Sequence, residues 1–189
     1  MSARLPSSPL VQCRVATALG DVHLAASPAG LAGLWFAGQR HLPDRLEGAG
    51  AWPHEPAHPV LRAAAAQLID YLDGRGTRFD LPLDLSGGTP FQQSVWRALL
   101  AIPRGATVGY GALALALSQP RAVRAVASAI GRNPLSVVVP CHRVVGAGGA
   151  LTGYAGGLPR KAALLELEAA AATAAATQAS FSPPACSLA

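Results

Sequence analysis

The sequence predicts an α+β fold in two units, with a strand-rich first half and a mainly helical second half. Three observations point to it. Short β-like apolar runs occupy Val11–Thr17, Asp21–Ala26 and Leu31–Phe36. After Thr89 the apolar residues recur at helical spacing instead. Between the two patterns, Ser86-Gly87-Gly88 reads as a linker. With 189 residues, 51% hydrophobic and 13% charged, the chain can build a core, and wholesale disorder is not expected.

In the first unit, Gly20 and Pro28-Ala29-Gly30 separate the three runs, which is the punctuation of a meander. Residues 39–58 are rich in Pro, Gly and His and are expected to form a loop. Pro59–Asp73 predicts a helix, because Val60, Leu61, Ala64, Ala65, Leu68, Ile69 and Leu72 share one face. Pro59 suits its first turn and Gly74 its end. Phe79–Leu85 alternates and is expected to be another strand.

The second unit opens on Thr89-Pro90-Phe91-Gln92, a capping-box signature for a helix running to about Ala101. Pro103-Arg104-Gly105 ends it. Two further helices are expected at Tyr110–Leu117 and Pro120–Gly131, joined tightly through Ser118-Gln119-Pro120. With Arg121 at 0° and 100° per residue, Arg124, Ala125, Ser128 and Arg132 fall within about 60° of it. Val123, Val126 and Ile130 fall on the opposite side. This pattern fits the recognition helix of a helix-turn-helix, and it equally fits an ordinary amphipathic surface helix. A Leu- and Ala-rich helix is expected from Leu158 to about Ala176, and the last dozen residues, with Ser182-Pro183-Pro184, are expected to lack structure.

The most informative segment is Leu135-Ser136-Val137-Val138-Val139-Pro140-Cys141-His142-Arg143-Val144-Val145. Its apolar run predicts a buried strand that Pro140 terminates, delivering Cys141 beside His142 and Arg143. Positive charge at a thiol favours the thiolate, the attacking form. The competing reading is a small buried hydrophobe. The glycine-rich stretch at 146–157 lacks the strand–loop–helix order of a phosphate-binding fingerprint.

Charge separates the two units. Residues 1–88 hold seven Arg and eight Asp or Glu, a net of −1, whereas residues 89–168 hold seven Arg and one Lys against two Glu, a net of +6. A stretch this cationic fits a polyanion partner. An arginine-rich composition could also contribute, since fourteen of the fifteen cations are Arg. Cys13, Cys141 and Cys186 form neither a Cys-x-x-Cys pair nor a disulfide framework, so reduced thiols are expected. His23, His41, His54 and His58 are scattered, and no metal or other cofactor is expected. No apolar run reaches membrane-spanning length and no secretory leader is evident, so a cytoplasmic protein without a membrane partner is expected.

Several motifs are spaced along the second unit: Phe91-Gln92-Gln93-Ser94-Val95-Trp96, the Tyr110 helix, Arg121-Ala122-Val123-Arg124-Ala125-Val126, Asn133-Pro134, Pro140–Val145 and Gly153-Tyr154-Ala155-Gly156-Gly157-Leu158. Together they resemble the O6-alkylguanine-DNA alkyltransferase family. The match runs from Thr89 to Glu168. The resemblance implies a small ribonuclease-H-like α/β domain at 1–88 and a winged-helix-like, helix-turn-helix DNA-binding domain at 89–168, followed by an Ala-rich tail at 169–189. It implies the short stand-alone form, acting as a monomer, with clustering on DNA left open.

The resemblance also implies roles. Cys141 would accept the alkyl group from guanine O6, once and irreversibly. His142 would act as base through a water, oriented by Glu168, and Tyr110 would donate to guanine N3. Asn133 would hold the turn between recognition helix and cysteine. Arg124 would fill the gap left by the flipped base. Arg121, Ala125, Ala127, Ser128 and Arg132 would meet the minor groove of duplex DNA. Val144, Tyr154 and Ala155 would line the base and alkyl pocket. Ala127 stands where many members have Gly, and Ala155 where some carry a hydroxyl. Two other functions compete. A non-transferring lesion binder would lack the cysteine, and a Cys141–His142 hydrolase would need an oxyanion-forming motif that is not evident. Activity on O4-alkylthymine stays open.

Overall fold

A computed structural model of the chain describes residues 5–180, with residues 172–180 given by helix path alone. Strands β1 (Val11–Val15), β2 (Val22–Ser27) and β3 (Gly30–Phe36) form the expected antiparallel meander in that order. Helix α1 (Pro59–Leu72) covers one face of the sheet through Leu61, Ala64, Leu68 and Tyr71. The loop at 39–58, which contains a 3₁₀ turn at Asp44–Leu46, covers the other: Trp52 stacks on Trp35 at 6.4 Å. Both faces of β2 and β3 are therefore buried, and their near-continuous apolar composition reflects it.

Phe79–Leu85 is not a strand. It meets the sheet at one point, where Leu31 N–H donates to Pro82 O (2.8 Å) and Asp84 N–H donates to Leu31 O (2.8 Å). Pro82 has no N–H to extend the ladder. The alternation still describes side-chain packing, because Phe79, Leu81 and Leu83 lie against the core.

Helix α2 (Pro90–Leu100) starts on the predicted capping box. Gln92 N–H donates to the Thr89 hydroxyl at 3.2 Å, and the Gln92 side-chain oxygen accepts Thr89 N–H at 2.9 Å. The α2 side chains Val95, Trp96 and Leu99 are buried, and the Trp96 indole donates to Ala129 O at 2.9 Å. Strand β4 (Val108–Gly109) leads into α3 (Tyr110–Ala116) and then α4 (Val123–Gly131). Helix α4 begins three residues later than the sequence suggested, because Pro120–Ala122 form a turn closed by Ala122 N–H to Gln119 O.

The ends of α1 and α3 use one device with different residues. At each, the two N–H groups past the cap turn back to the final carbonyls: Gly74 to Tyr71 and Arg75 to Asp70, then Ser118 to Leu115 and Gln119 to Ala114. The pivot has φ 77° at Gly74 and φ 57° at Ser118. A left-handed Ser carries a steric cost that Gly does not. Ser118→Gly is expected to raise stability by up to about 1 kcal/mol, read as a higher urea midpoint at unchanged slope.

The largest correction concerns Leu135–Val139, which is a compact turn and not a strand. Only Leu135 pairs with the sheet, beside Leu34: Leu34 N–H donates to Pro134 O (2.8 Å) and Ser136 N–H to Leu34 O (3.0 Å). Two three-residue turns follow. Val138 N–H donates to Ser136 O around Val137, whose φ is 70°, and Cys141 N–H donates to Val139 O around Pro140, at φ −79°, ψ 62°. A positive-φ turn centred on a β-branched residue is strained, by about 1–3 kcal/mol. Strand β5 (Val144–Val145) then pairs in parallel with β4, and α5 (Leu158–Ser180) closes the fold. The expectation of an unstructured end falls largely on residues 181–189, and with Cys186 it lies outside the described residues. One continuous apolar core runs through both halves.

Candidate active site

Asn133 organises the turn that carries the cysteine. Its side-chain oxygen accepts Leu135 N–H at 3.0 Å, and its amide donates to Val139 O at 2.7 Å and Leu135 O at 3.3 Å. The same amide lies 3.2 Å from Cys141 Sγ. An Asn side chain that takes over local backbone groups competes with sheet pairing, which is why the β-branched run does not extend.

Cys141–Arg143 form a 3₁₀ turn, with Cys141 5%, His142 0% and Arg143 8% exposed. The thiol is therefore buried. Burial pushes its pKa up, opposed by the Asn133 hydrogen bond and by the charge of Lys161. The expected activation by Arg143 is absent, because that guanidinium is engaged elsewhere. Cys141 rests as a thiol.

A buried hydrogen-bonded network follows Cys141, built around Glu168. His142 Nε2 lies 2.7 Å from Glu168 Oε1, and Arg143 reaches Oε2 through Nε at 2.9 Å and Oε1 through Nη2 at 3.0 Å. Gly105 N–H donates to Oε2 at 3.0 Å, and the Tyr71 hydroxyl donates to Oε1. Burial alone would raise the Glu168 pKa, but the hydrogen bonds from His142 and Arg143 hold it well below the carboxylate range. Facing an ionised acceptor, His142 must carry its proton on Nε2, so Nδ1 bears the lone pair. Nδ1 is buried and has no hydrogen-bond partner among the described residues. Burial lowers the His142 pKa against the pull of Glu168, so the ring rests neutral.

The β4–β5 pair and the loop before α5 lie beside the cysteine turn. Pairing of Val108 with Val144 and Gly109 with Val145 brings Tyr110, at the start of α3, beside the cysteine turn. Its hydroxyl lies 3.4 Å from the carbonyls of Thr152 and Gly153. Gly153 has φ 53°, and a Cβ there would lie 2.9 Å from that hydroxyl, so close approach requires glycine. Tyr154 is buried edge-on to His142, with centroids 6.5 Å apart. Val144 is buried and Ala155 half-buried, its carbonyl accepting Arg40 N–H at 3.1 Å.

On α4, Val126 and Ile130 are buried as the helical wheel required, and Arg124, Ala125 and Ser128 are exposed. Arg121 is exposed in the preceding turn, while Ala127 and Arg132 are half-buried at the flank and the end of the helix. Cys141, His142, Glu168, Asn133, Tyr110, Val144 and Tyr154 are thus brought together, Ala155 follows Tyr154 in the chain with its carbonyl turned to Arg40, and α4 presents a separate exposed face. The sequence reading missed three contributors. Lys161 is fully buried, donating through Nζ to Val144 O and Thr152 O at 2.6 Å each. Its signal was available: Lys161, Leu164 and Glu168 share one helical face, so a charged residue lies about one turn to either side of Leu164 on the apolar side. Gly105 and Tyr71 carried no such signal. Among the described residues, no group of three His, Cys, Asp or Glu side chains is placed to hold a metal, and no helix is long and apolar enough to cross a membrane.

A family model described as the DNA binding domain of 6-O-methylguanine DNA methyltransferase matches residues 90–170, and one for its ribonuclease-like domain matches residues 14–85. The chain belongs to this family. A methylated-DNA–protein-cysteine methyltransferase of Mycobacterium tuberculosis H37Rv is 46% identical over 156 residues, covering 82% of this chain and 90% of the relative. One from Salmonella typhimurium is 54% identical over 102 residues, or 54% of this chain and 60% of the relative. Among solved structures, Mycobacterium tuberculosis OGT in complex with DNA matches with a TM-score of 0.77 at 43% identity, over 85% of this chain and 94% of that one. The O6-methylguanine-DNA methyltransferase of Pyrococcus kodakaraensis matches at 0.57 and 27% identity, over 84% and 98%. The family and the α+β architecture drawn from the sequence are borne out.

Proposed function

We propose that the protein repairs DNA by transferring the alkyl group of O6-alkylguanine to its own Cys141, once per molecule. The observation that carries this is a buried thiol, its pKa pushed up by that burial, beside a His142 whose Nε2 faces Glu168 and whose Nδ1 is left without a partner among the described residues. In this reading a water carries the Cys141 proton to Nδ1, and Glu168 and Arg143 hold the ring in place. The sulfur forms a bond to the alkyl carbon as the carbon–O6 bond breaks, and its electron pair passes to the guanine. Tyr110 donates to guanine N3 as that charge develops. The thioether has no leaving group for a second attack, so the protein is consumed.

The DNA-facing roles belong to the same reading. The exposed face of α4 and its preceding turn, with Arg121, Arg124, Ala125, Ser128 and the flanking Ala127 and Arg132, enters the minor groove. Arg124 occupies the space of the extruded nucleotide, whose flipping costs a few kcal/mol. Val144, Tyr154 and Ala155 receive the base. We divide the chain into 1–88, 89–168 and a tail at 169–189, in accord with the separate charge of its halves. The net of +6 at residues 89–168 supports a polyanionic partner.

Incubation with duplex DNA bearing O6-methylguanine is expected to add one methyl mass to the Cys141 peptide, with no turnover beyond one equivalent. Methylation elsewhere, or repeated turnover, defeats the proposal. Cys141→Ala is expected to retain lesion binding and lose transfer entirely.

A further inference from the structure

The geometry points to Tyr71, from the first half of the chain, as a positioning residue that sets the basicity of His142 through Glu168. The inference rests on the alkyl-transfer reading above. Tyr71 lies on α1, 97 positions from Glu168 in sequence, and is 1% exposed. Its hydroxyl donates to Glu168 Oε1, the same oxygen that His142 Nε2 approaches at 2.7 Å. It also accepts from Arg143 Nη2 at 3.2 Å. A carboxylate oxygen has two lone pairs, so the tyrosine and the imidazole draw on one acceptor. Each donor to Oε1 leaves less negative charge to stabilise an imidazolium, so Tyr71 holds His142 in its less basic, neutral form.

Other groups around this pair are engaged or constant. Arg143 remains bonded to both Glu168 oxygens without Tyr71. Gly105 N–H holds Oε2 from the loop after α2, where Arg104 stacks over the Tyr71 ring at 4.9 Å. Lys161 on α5 lowers the His142 pKa from a distance, and Tyr154 meets the imidazole edge-on. Cys141 is the neighbouring titratable group. Burial, together with the bond to Glu168, pushes the Tyr71 pKa up to about 12, so the phenol remains a donor throughout the working pH range.

The test is the pH dependence of single-turnover transfer from O6-methylguanine duplex, whose acid limb reports protonation of His142. In Tyr71→Phe the ring stays and the donor is lost, so the limb is expected to move up by about half to one pH unit. A 3-fluorotyrosine at position 71 is a stronger donor and is expected to move it down, which provides a second measurement if the Phe variant folds poorly. A rate lowered equally at all pH values, with an unmoved limb in a folded variant, overturns the inference and leaves Tyr71 as packing. Absence of transfer in the unmodified protein would instead defeat the alkyl-transfer reading itself.

Discussion

Glu168→Gln is expected to lower the rate of alkyl transfer by roughly 10²–10⁴-fold and to destabilise the protein by about 3–5 kcal/mol. The carboxylate accepts from His142, Arg143, Tyr71 and Gly105, so all its acceptor positions are in use. Gln retains the shape but has one acceptor oxygen, and its amide would point donors at donors. The Arg143 guanidinium would remain buried without a counterion, which accounts for most of the lost stability. The rate falls separately, because nothing then holds the Nε2–H form of His142. Single-turnover kinetics and urea unfolding measure the two effects. A variant that loses stability yet transfers at the normal rate would confine Glu168 to the core.

Acid should reveal the same carboxylate. Its folded pKa is depressed below the unfolded value of about 4.3, so its contribution is complete above that value and declines as pH falls through the folded one. The difference in stability between wild type and Glu168→Gln is therefore expected to shrink on acidification. His142 acts in the same direction at higher pH. Its folded pKa is lowered, so the unfolded chain takes up more protons below about 6.5 and stability falls with pH there.

Asn133→Ala is the second large effect, with an expected loss of about 3 kcal/mol and a marked fall in transfer rate. One amide serves Leu135 N–H, Leu135 O and Val139 O within the turn, and these groups are buried. Removing it leaves donors and acceptors unsatisfied where Val137 is already held at positive φ. The turn is then expected to relax and carry Cys141 out of register with His142. Asn133→Asp separates the two roles. It can still accept Leu135 N–H, but it sets a negative charge near Sγ and disfavours the thiolate. Transfer is expected to shift to higher pH in Asp and to fall without such a shift in Ala, which pH profiles of both variants would show.

Local physical chemistry made much of this protein legible in one dimension. The capping box at Thr89 and Gln92, the apolar faces of α1 and α4, the glycine end of α1 and the meander each depend on residues within a few positions of one another. Cys141 and His142 were identifiable because they lie together in sequence, and Asn133 and Glu168 entered through a family resemblance. What only the tertiary structure decided was the electrostatics of the cysteine. From sequence, Arg143 beside Cys141 implied a thiolate; in the fold, Glu168 takes that charge and burial keeps the thiol protonated. Similarly, Val137–Val139 had the composition of a strand, and Asn133 made them a turn. Tyr71, Gly105 and Lys161 joined the site from elsewhere in the chain or from a buried helix face. Propensity and periodicity record neighbours along the chain, whereas a pKa or a carboxylate's set of donors depends on neighbours in space.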